Sequence, residues 1–507
     1  MKRLIKLLKY GIFASLLLVS CEDLEVENTD APDRQKLFES TRDLRIFADN
    51  IYITYWQALH AAPYLNLQIA TLTAADQLTA SWYTFGCYDL SIEPRIPWNN
   101  SPNYEYRNLT YAFYSNMYTV IYMCNTIIKL LNEGKTISTD PNIQKGYYAM
   151  CYFLRGAALG NIGLTFDKAQ IVTEYADLAT LKFQPYNIVI DSAIASLQKA
   201  IDICDSTSFN LGNNIVNGVN LDNTLMARVC HSYIARFMVL GSRTKAENVA
   251  VDWESVLNHA KKGVTTDFGP QGDGHNRWFD EIARFITNQD NTQLFFAKVD
   301  NRLIHLLDPA YPARYWKNGH PVKVHSDKRV GEASSIDARL ASDFEYTSAI
   351  RFYPERGTYH FSHYRYKRWE GIGTTGTGQM IDISKYENIL YAIEAYTMLG
   401  ELNTAISLLN YPFYPRKTRG QLPDIPSSAD KRTVLEAIFY EREIDLLGQG
   451  YLIGFCDMRR RDMLQKGTPL HFPIPGNELQ TLSMDYYTFG GVENADGINT
   501  SNGGWEE

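Results

Sequence analysis

The chain has 507 residues, a formal net charge of −8, 45% hydrophobic residues and 21% charged ones. That balance excludes disorder over most of the length. The excess of 57 acidic over 49 basic side chains argues against nucleic acid as the main partner, because phosphate binding needs a basic footprint. The length predicts about three domains, or one large architecture with a substantial core. Aromatic residues are abundant, with 34 Tyr, 23 Phe and 8 Trp. No internal stretch reaches the roughly 20 apolar residues of a spanning helix.

In chain order, Lys2, Arg3, Lys6 and Lys9 precede an apolar run from Tyr10 to Val19. This reads as an export signal over residues 1–20, too short and wrongly flanked for a mature membrane helix. It ends in Leu18-Val19-Ser20-Cys21, which resembles the lipobox of bacterial lipoproteins. The resemblance implies cleavage before Cys21 and lipidation of that residue. Several acyl chains, each adding about 0.8 kcal/mol per buried CH₂, would hold the chain to a membrane firmly. Removing four cations and no acids takes the charge from −8 to −12. Glu22, Asp23, Glu25 and Glu27 then crowd the new terminus. Residues 21–40 are therefore expected to form a solvated acidic leash, similar to the acidic signals that direct some lipoproteins to the cell surface.

Residues 41–265 are expected to be mainly helical. Leu109, Phe113, Met117, Val120, Ile121, Cys124, Ile128 and Leu131 keep three-four spacing over 105–132, which a strand could not use. Gly134 follows as a terminator. Further amphipathic runs cover 142–164, 187–204 and 222–241, with a shorter helix at 252–262. Modest connections predict sequential antiparallel pairs, as in an α-solenoid. The six cysteines after Cys21 form no C-x-x-C pair and read as small core residues.

Residues 266–507 begin with a change of pattern. Gly, Pro, Asp and aromatics dominate to about 380, which predicts long loops with short strands near 293–299 and 361–369. Irregular segments on a rigid scaffold are where binding usually resides. The clearest repeat follows at 385–411, where Tyr386, Ile389, Leu390, Ile393 and Tyr396 form one face. Leu399-Gly400-Glu401 turns the chain, and Leu402, Ala405, Ile406 and Leu409 form the next face. Small Ala395 and Ala405 around that turn resemble a tetratricopeptide hairpin.

Several motifs carry candidate chemistry. Gly371-Ile372-Gly373-Thr374-Thr375-Gly376 matches G-x-G-x-x-G, but a dinucleotide site needs it inside a strand–turn–helix unit. The next helix starts near Ser384, so a loop is expected. His360 and His363 would point to opposite faces of a strand, with cations nearby, which opposes a metal. Glu441, Arg442, Glu443, Asp457, Arg459 and Arg460 include enough carboxylates for a glycosidase pair, yet read more simply as an ion-paired helix and an Asp–Arg clasp. No catalytic residue, metal site or cofactor is assigned. The aromatics say more. Trp82, Tyr83, Phe85 and Tyr88, then Trp98 and Asn99, form one cluster; Tyr311, Arg314, Tyr315 and Trp316 form another. Rings stack on the C–H face of a sugar while Asn and Arg bond its hydroxyls, each ring adding about 0.5–1.5 kcal/mol. Trp82, Trp98, Asn99, Arg314, Tyr315 and Trp316 are the candidate ligand residues, although any single ring also has a core reading.

The order of these parts carries a family resemblance. After the lipobox, the leash and the paired helices comes Glu441-Arg442-Glu443-Ile444-Asp445, then Gly448, Phe455, Asp457-Met458-Arg459-Arg460 and Pro473-Ile474-Pro475. This resembles the C-terminal signature of the SusD/RagB family, and Tyr366-Lys367-Arg368-Trp369 with the helix from Ser384 is similar to its basic-aromatic strand and following helix. A departure is Asn410-Tyr411-Pro412-Phe413-Tyr414-Pro415-Arg416, a loop unusually rich in Tyr and Pro. The resemblance implies a mainly α, tetratricopeptide-like fold with loop-rich segments. It also implies a non-enzymatic, lipid-anchored outer-membrane receptor that faces the cell surface. Such a receptor captures oligosaccharide or peptide for a SusC/RagA-like TonB-dependent transporter. A surface-displayed helical glycosidase and an adaptor binding only proteins are the alternatives.

Overall fold

In a computed structural model of the protein, the described residues are 38, 40–60, 66–79, 86–287, 298–313, 316–317, 320–321, 331–348 and 362–504. The expected signal peptide and leash lie outside them, apart from residues 38 and 40. The chain divides into two units, Met1–Leu44 and Arg45–Glu507. In the first, Ser40 opens a helix by exchanging hydrogen bonds with Asp43.

The second unit is built from helices: α1 (Thr41–Asp49, entered at its border), α2 (Ile51–His60), α3 (Leu67–Ala74), α4 (Cys87–Ser91), α5 (Asn108–Asn132), α6 (Pro141–Thr165), α7 (Tyr186–Ser206) and α8 (Asn223–Leu240). Their starts follow from local chemistry. Asp140 and Asp222 accept hydrogen bonds from Asn142 N and Leu225 N, and Pro141 occupies the first turn of α6. The expected apolar stripe of α5 is buried, and Gly134 beyond its end takes a φ of +90°. Helix α6 is buried almost all round from Ala149 onward. It is the hub against which α5, α7 and α8 pack in sequence. Close approach needs missing side chains: a Cβ on Gly160 would lie 2.1 Å from the Phe237 ring, and one on Gly156 2.7 Å from Leu197.

Short α9 (Lys245–Val249) and α10 (Trp253–Lys262) lead into the irregular region. It is more helical than expected, with α11 (Glu281–Ile286), α12 (Asn301–Leu307), α13 (Arg339–Asp343) and α14 (Glu370–Thr375). These helices have five to seven residues, too few turns to register as periodicity. The expected hairpin appears as α15 (Lys385–Met398) and α16 (Leu402–Leu409), turned at Gly400 with φ +87°. Then come α17 (Pro415–Thr418), α18 (Lys431–Asp445), α19 (Ile453–Arg459) and α20 (Gly476–Thr481). Strands among the described residues are short and form two-stranded antiparallel pairs: β1 (Leu78–Thr79) with β5 (Lys298–Val299), β2 (Lys168–Gln170) with β3 (Phe183–Pro185), β4 (Gln271–Asp273) with β10 (Thr377–Gln379), β6 (Trp316–Lys317) with β7 (His320–Pro321), and β8 (Phe344–Tyr346) with β9 (Tyr364–Tyr366). Helix α10 packs on α15, so residues on either side of position 265 share one core. No helix of the described residues is long and apolar enough to cross a membrane. The six cysteines from Cys87 to Cys456 are buried and free.

The end of α18 ties the unit together. Arg442 binds Glu394 of α15 and Asp457 of α19, and Arg460 binds the same two carboxylates. Burial would raise the Asp457 carboxyl, but Arg460 and Arg442 hold it down to about 2. Glu441 receives Arg339 at 2.8 Å, Arg416 at 3.3 Å and the Tyr386 hydroxyl at 3.0 Å. Glu443 receives Arg302 at 2.6 Å and Gln77 at 3.1 Å. All these acids and arginines are buried. The ion-paired reading of the acidic motif therefore holds.

Arg459 does something different. Its guanidinium donates to the carbonyls of Leu164 and Leu240, at the ends of α6 and α8, and to that of Leu470. Arg243 donates to Gly163 and Gly241 at the same two ends. Carbonyls left over at a helix C-terminus carry partial negative charge, so two buried cations satisfy both helices without a carboxylate. Burial, with Arg459 beside it, lowers Arg243 to about 9. His471 contacts Arg243 at 3.4 Å, and burial and both arginines hold its imidazole well below 6.5.

Two outcomes are expected. Arg442→Met leaves the buried Glu394 and Asp457 carboxylates to share Arg460 and should lower unfolding free energy by about 3–5 kcal/mol, read by urea denaturation. An unchanged midpoint would contradict the tie. His471 titrates near 6.5 only in the unfolded chain, so unfolding there takes up a proton. Its contribution, complete above that value, is lost as pH falls through it. His471→Gln should therefore show a smaller drop in urea midpoint between pH 7.5 and 5 than the wild type. Equal drops would remove His471 from the pH response.

Candidate functional site

Four stretches that lie outside the described residues, 80–85, 288–297, 314–315 and 349–361, have described ends that gather in one place. Strand β1 (Leu78–Thr79) pairs with β5 (Lys298–Val299), setting Thr79 opposite Lys298. Ser362 N and Oγ both donate to the Val299 carbonyl, at 3.1 and 2.7 Å. Next along the chain, His363 N donates to the Tyr311 hydroxyl at 3.3 Å, and the His363 carbonyl accepts from Thr347 N at 2.7 Å. Residues 79, 298, 311, 347 and 362, each within three positions of one of these stretches, are therefore held by one set of backbone and side-chain bonds.

That set is bolted to the buried frame. Asp300 N donates to Gln77 O, and Gln77 in turn donates to Glu443. Arg302 reaches the same Glu443 carboxylate and the carbonyls of Ala75 and Asp76. Elsewhere Trp56 stacks on His60 at 3.7 Å, and His60 Nδ1 lies 3.2 Å from Asp280, the N-cap of α11. Burial opposes the Asp280 charge, but His60 and the backbone N–H groups of α11 hold its carboxyl below the ordinary range.

The described residues form several concavities. A small one, of about 10 Å³, is lined by Asp280, Trp369, Met380 and Gln449. An open groove of about 660 Å³ between α7, α8 and α10 presents Asp205, Arg228 and Lys262. Within it His231 and His259 meet Nδ1 to Nδ1 at 2.8 Å. Burial, each other's ring and Lys262 lower His231 to about 4. This pair sits 28 residues apart on two helices, so no local spacing announced it. Another, of about 380 Å³, is lined by Ile171, Leu181 and Ile188. Among the described residues no cluster of three or more His, Cys, Asp or Glu is arranged to hold a metal ion.

The sequence candidates fall unevenly. Cys21, Trp82, Arg314 and Tyr315 lie outside the described residues. Trp316 lies in a two-residue strand, β6 (Trp316–Lys317), paired with β7 (His320–Pro321). Asn99 is exposed, and its Oδ1 accepts from Ser101 N at 3.0 Å to shape a turn. Trp98 is only 3% exposed, edge-on to Tyr104 at 5.4 Å and Phe472 at 5.5 Å. A ring walled in this way offers no face to a sugar, so Trp98 stands as a core residue. Its neighbour Asn100 is the latch of the Pro-Ile-Pro turn, bonding Ile474 O, Tyr487 O and Gly476 N.

The other motifs resolve in structural terms. The G-x-G-x-x-G segment was expected as a loop, yet residues 370–375 form α14. Its flanking strand, β10 (Thr377–Gln379), pairs antiparallel with β4 (Gln271–Asp273), not in a parallel sheet. Gly373 is there for packing: a Cβ would lie 2.7 Å from Thr287 Oγ1 and 2.9 Å from Ala283 O. His360 lies outside the described residues, while His363 Nδ1 meets Thr347 O at 3.1 Å. Asp300, Asp308 and Asp273 cap backbone N–H groups. Glu441 and Glu443 are fully buried behind arginines. No substrate bond reaches them there.

No protein-family model matches the sequence. No curated protein matches it either. Solved structures do match in fold. A SusD superfamily protein from Parabacteroides distasonis aligns with a TM-score of 0.59 at 13% identity, over 87% of this chain and 98% of that one. A SusD homolog from Bacteroides thetaiotaomicron aligns with a TM-score of 0.57 at 14% identity, over 87% and 96%. A structure described as a SusD-like carbohydrate binding protein, from Bacteroides vulgatus, gives 0.55 at 15% identity, over 85% and 84%. The protein therefore has the SusD-like, mainly helical fold that the sequence resemblance implied.

Proposed function

We propose that this protein is a non-enzymatic receptor that captures a nutrient oligosaccharide or peptide at the outer-membrane surface. In this reading Cys21 carries the lipid anchor. The receptor hands its ligand to a SusC/RagA-like TonB-dependent transporter. The observation that carries the proposal is the SusD-like fold, shared along nearly the full length of proteins that include one described as carbohydrate binding. The gathering of loop ends above Glu443 supports a ligand surface built from the irregular segments. Trp82 follows Thr79 by three residues and Arg314 follows Tyr311 by three, a reach of at most about 11 Å from each anchored end. Trp82, Asn99, Arg314, Tyr315 and Trp316 remain the proposed contact residues. Burial of the signature carboxylates in ion pairs disfavours the glycosidase alternative.

The full chain in detergent should bind at least one member of a panel of polysaccharides and peptides without releasing product. Trp82→Ala or Tyr315→Ala should weaken that binding several-fold, as expected for one lost stacking platform. Product release would replace the receptor by an enzyme. Binding of the transporter with no nutrient bound by either partner would leave an adaptor.

A further inference from the structure

A second surface, on other elements than the loop ends above, carries exposed aromatic rings. Between α16 and α17 the chain runs Asn410-Tyr411-Pro412-Phe413-Tyr414. Tyr414 N donates to Tyr411 O at 3.1 Å, so Pro412 and Phe413 occupy the outer corner of a turn. Phe413 is 74% exposed and Tyr411 43% exposed. Their ring centroids lie 5.5 Å apart with planes inclined at 62°.

The rings are exposed but their footing is fixed. Tyr411 packs on Tyr414 at 4.8 Å, and Tyr414 on buried Tyr386 at 5.8 Å. Tyr386 in turn is bonded to Glu441. On one side Asn410 exchanges two hydrogen bonds with the backbone of Ile425, at 2.9 and 2.8 Å. On the other, Arg416 enters the core to meet Glu441. An aromatic held this way loses little conformational freedom on meeting a ligand.

Charge and area select the ligand class. From Leu402 through Pro415 no residue is charged, in a chain that is 21% charged overall. Beyond it Arg416 is turned into the core, and Lys417 is paired with Asp424 at 2.8 Å. Uncharged Asn403, Thr404 and Ser407 are the exposed polar groups on the adjoining helix. Two rings bury at most about 500 Å², short of the roughly 800 Å² that each partner gives to a stable protein interface. A small neutral surface with inclined aromatic faces and hydroxyl or amide neighbours matches the C–H faces and hydroxyls of a sugar chain. We propose that Tyr411 and Phe413 form a second contact platform for a neutral polysaccharide, separate from the loop-borne site and not dependent on it.

Affinity electrophoresis of the full chain tests this, in native gels containing amylopectin, xyloglucan or galactomannan, with polygalacturonate as the charged control. The wild type should be retarded by at least one neutral polysaccharide. The Tyr411→Ala/Phe413→Ala variant should bind it at least about fivefold less tightly. Both should migrate alike in polygalacturonate. Phe413→Ser alone, at the most exposed ring, should lose part of the same affinity while keeping the wild-type Tm. Undiminished retardation of the double variant overturns the platform, as does a wild type that none of the three neutral polymers retards. Retardation abolished by Trp82→Ala but untouched by the double variant overturns the platform while leaving the receptor reading in place. A double variant that loses only binding to the transporter makes the rings a protein contact and overturns the platform too.

Discussion

Glu441, Arg442 and Glu443 are consecutive on one helix, so each points about 100° from the next. Each therefore meets a different part of the chain. Glu441 faces Arg339 of the irregular region and Arg416 of α17, Arg442 faces Glu394 and Asp457 of the repeat and the C-terminal helix, and Glu443 faces Arg302 and Gln77 beside the β1–β5 pair. Three segments far apart in sequence are fixed to a single turn of helix. Buried pairs of this kind add little net stability over apolar packing, but a mispaired one is costly. Their effect here is to fix which segment lies against which.

That constraint positions everything proposed to be functional. The loop ends at Thr79 and Lys298 stand on Glu443 through Gln77 and Arg302. The aromatic turn at Phe413 stands on Glu441 through Tyr386 and Arg416. In both places the described residues are held by short, charged contacts in a water-poor interior. The two candidate surfaces thus share one buried acidic motif. The α6–α8 bundle is secured separately, by Arg459 and Arg243 at its helix ends. This arrangement meets the carbonyl partial charges without spending a carboxylate.

The regular elements were legible because long amphipathic helices repeat their signal over many turns. The boundaries expected at 142–164, 187–204 and 222–241 differ from α6, α7 and α8 by one or two residues. Helices of five to seven residues, such as α11 and α14, carry no such signal and were missed. The ligand candidates were less legible. Trp98 and Phe413 are both aromatics in irregular segments, yet one is walled in by Tyr104 and Phe472 and the other stands in solvent. Ring type does not encode which side of a turn faces inward. His231 and His259 were unreadable for a related reason, since they meet only when α8 packs on α10.

By itself the sequence determined the helical class, the paired-helix repeat around Gly400, the cysteines as core residues and the signature acids as ion-paired. These follow from periodicity, turn chemistry and the cost of leaving charge unpaired in an interior, which are local or pairwise properties. Only the tertiary structure decided which arginine answers each acid, that Arg459 binds carbonyls instead of joining the Asp457 clasp, and which rings are left exposed. A buried charge requires a partner without specifying it. The partner is whichever residue the packing of distant helices brings within about 3 Å.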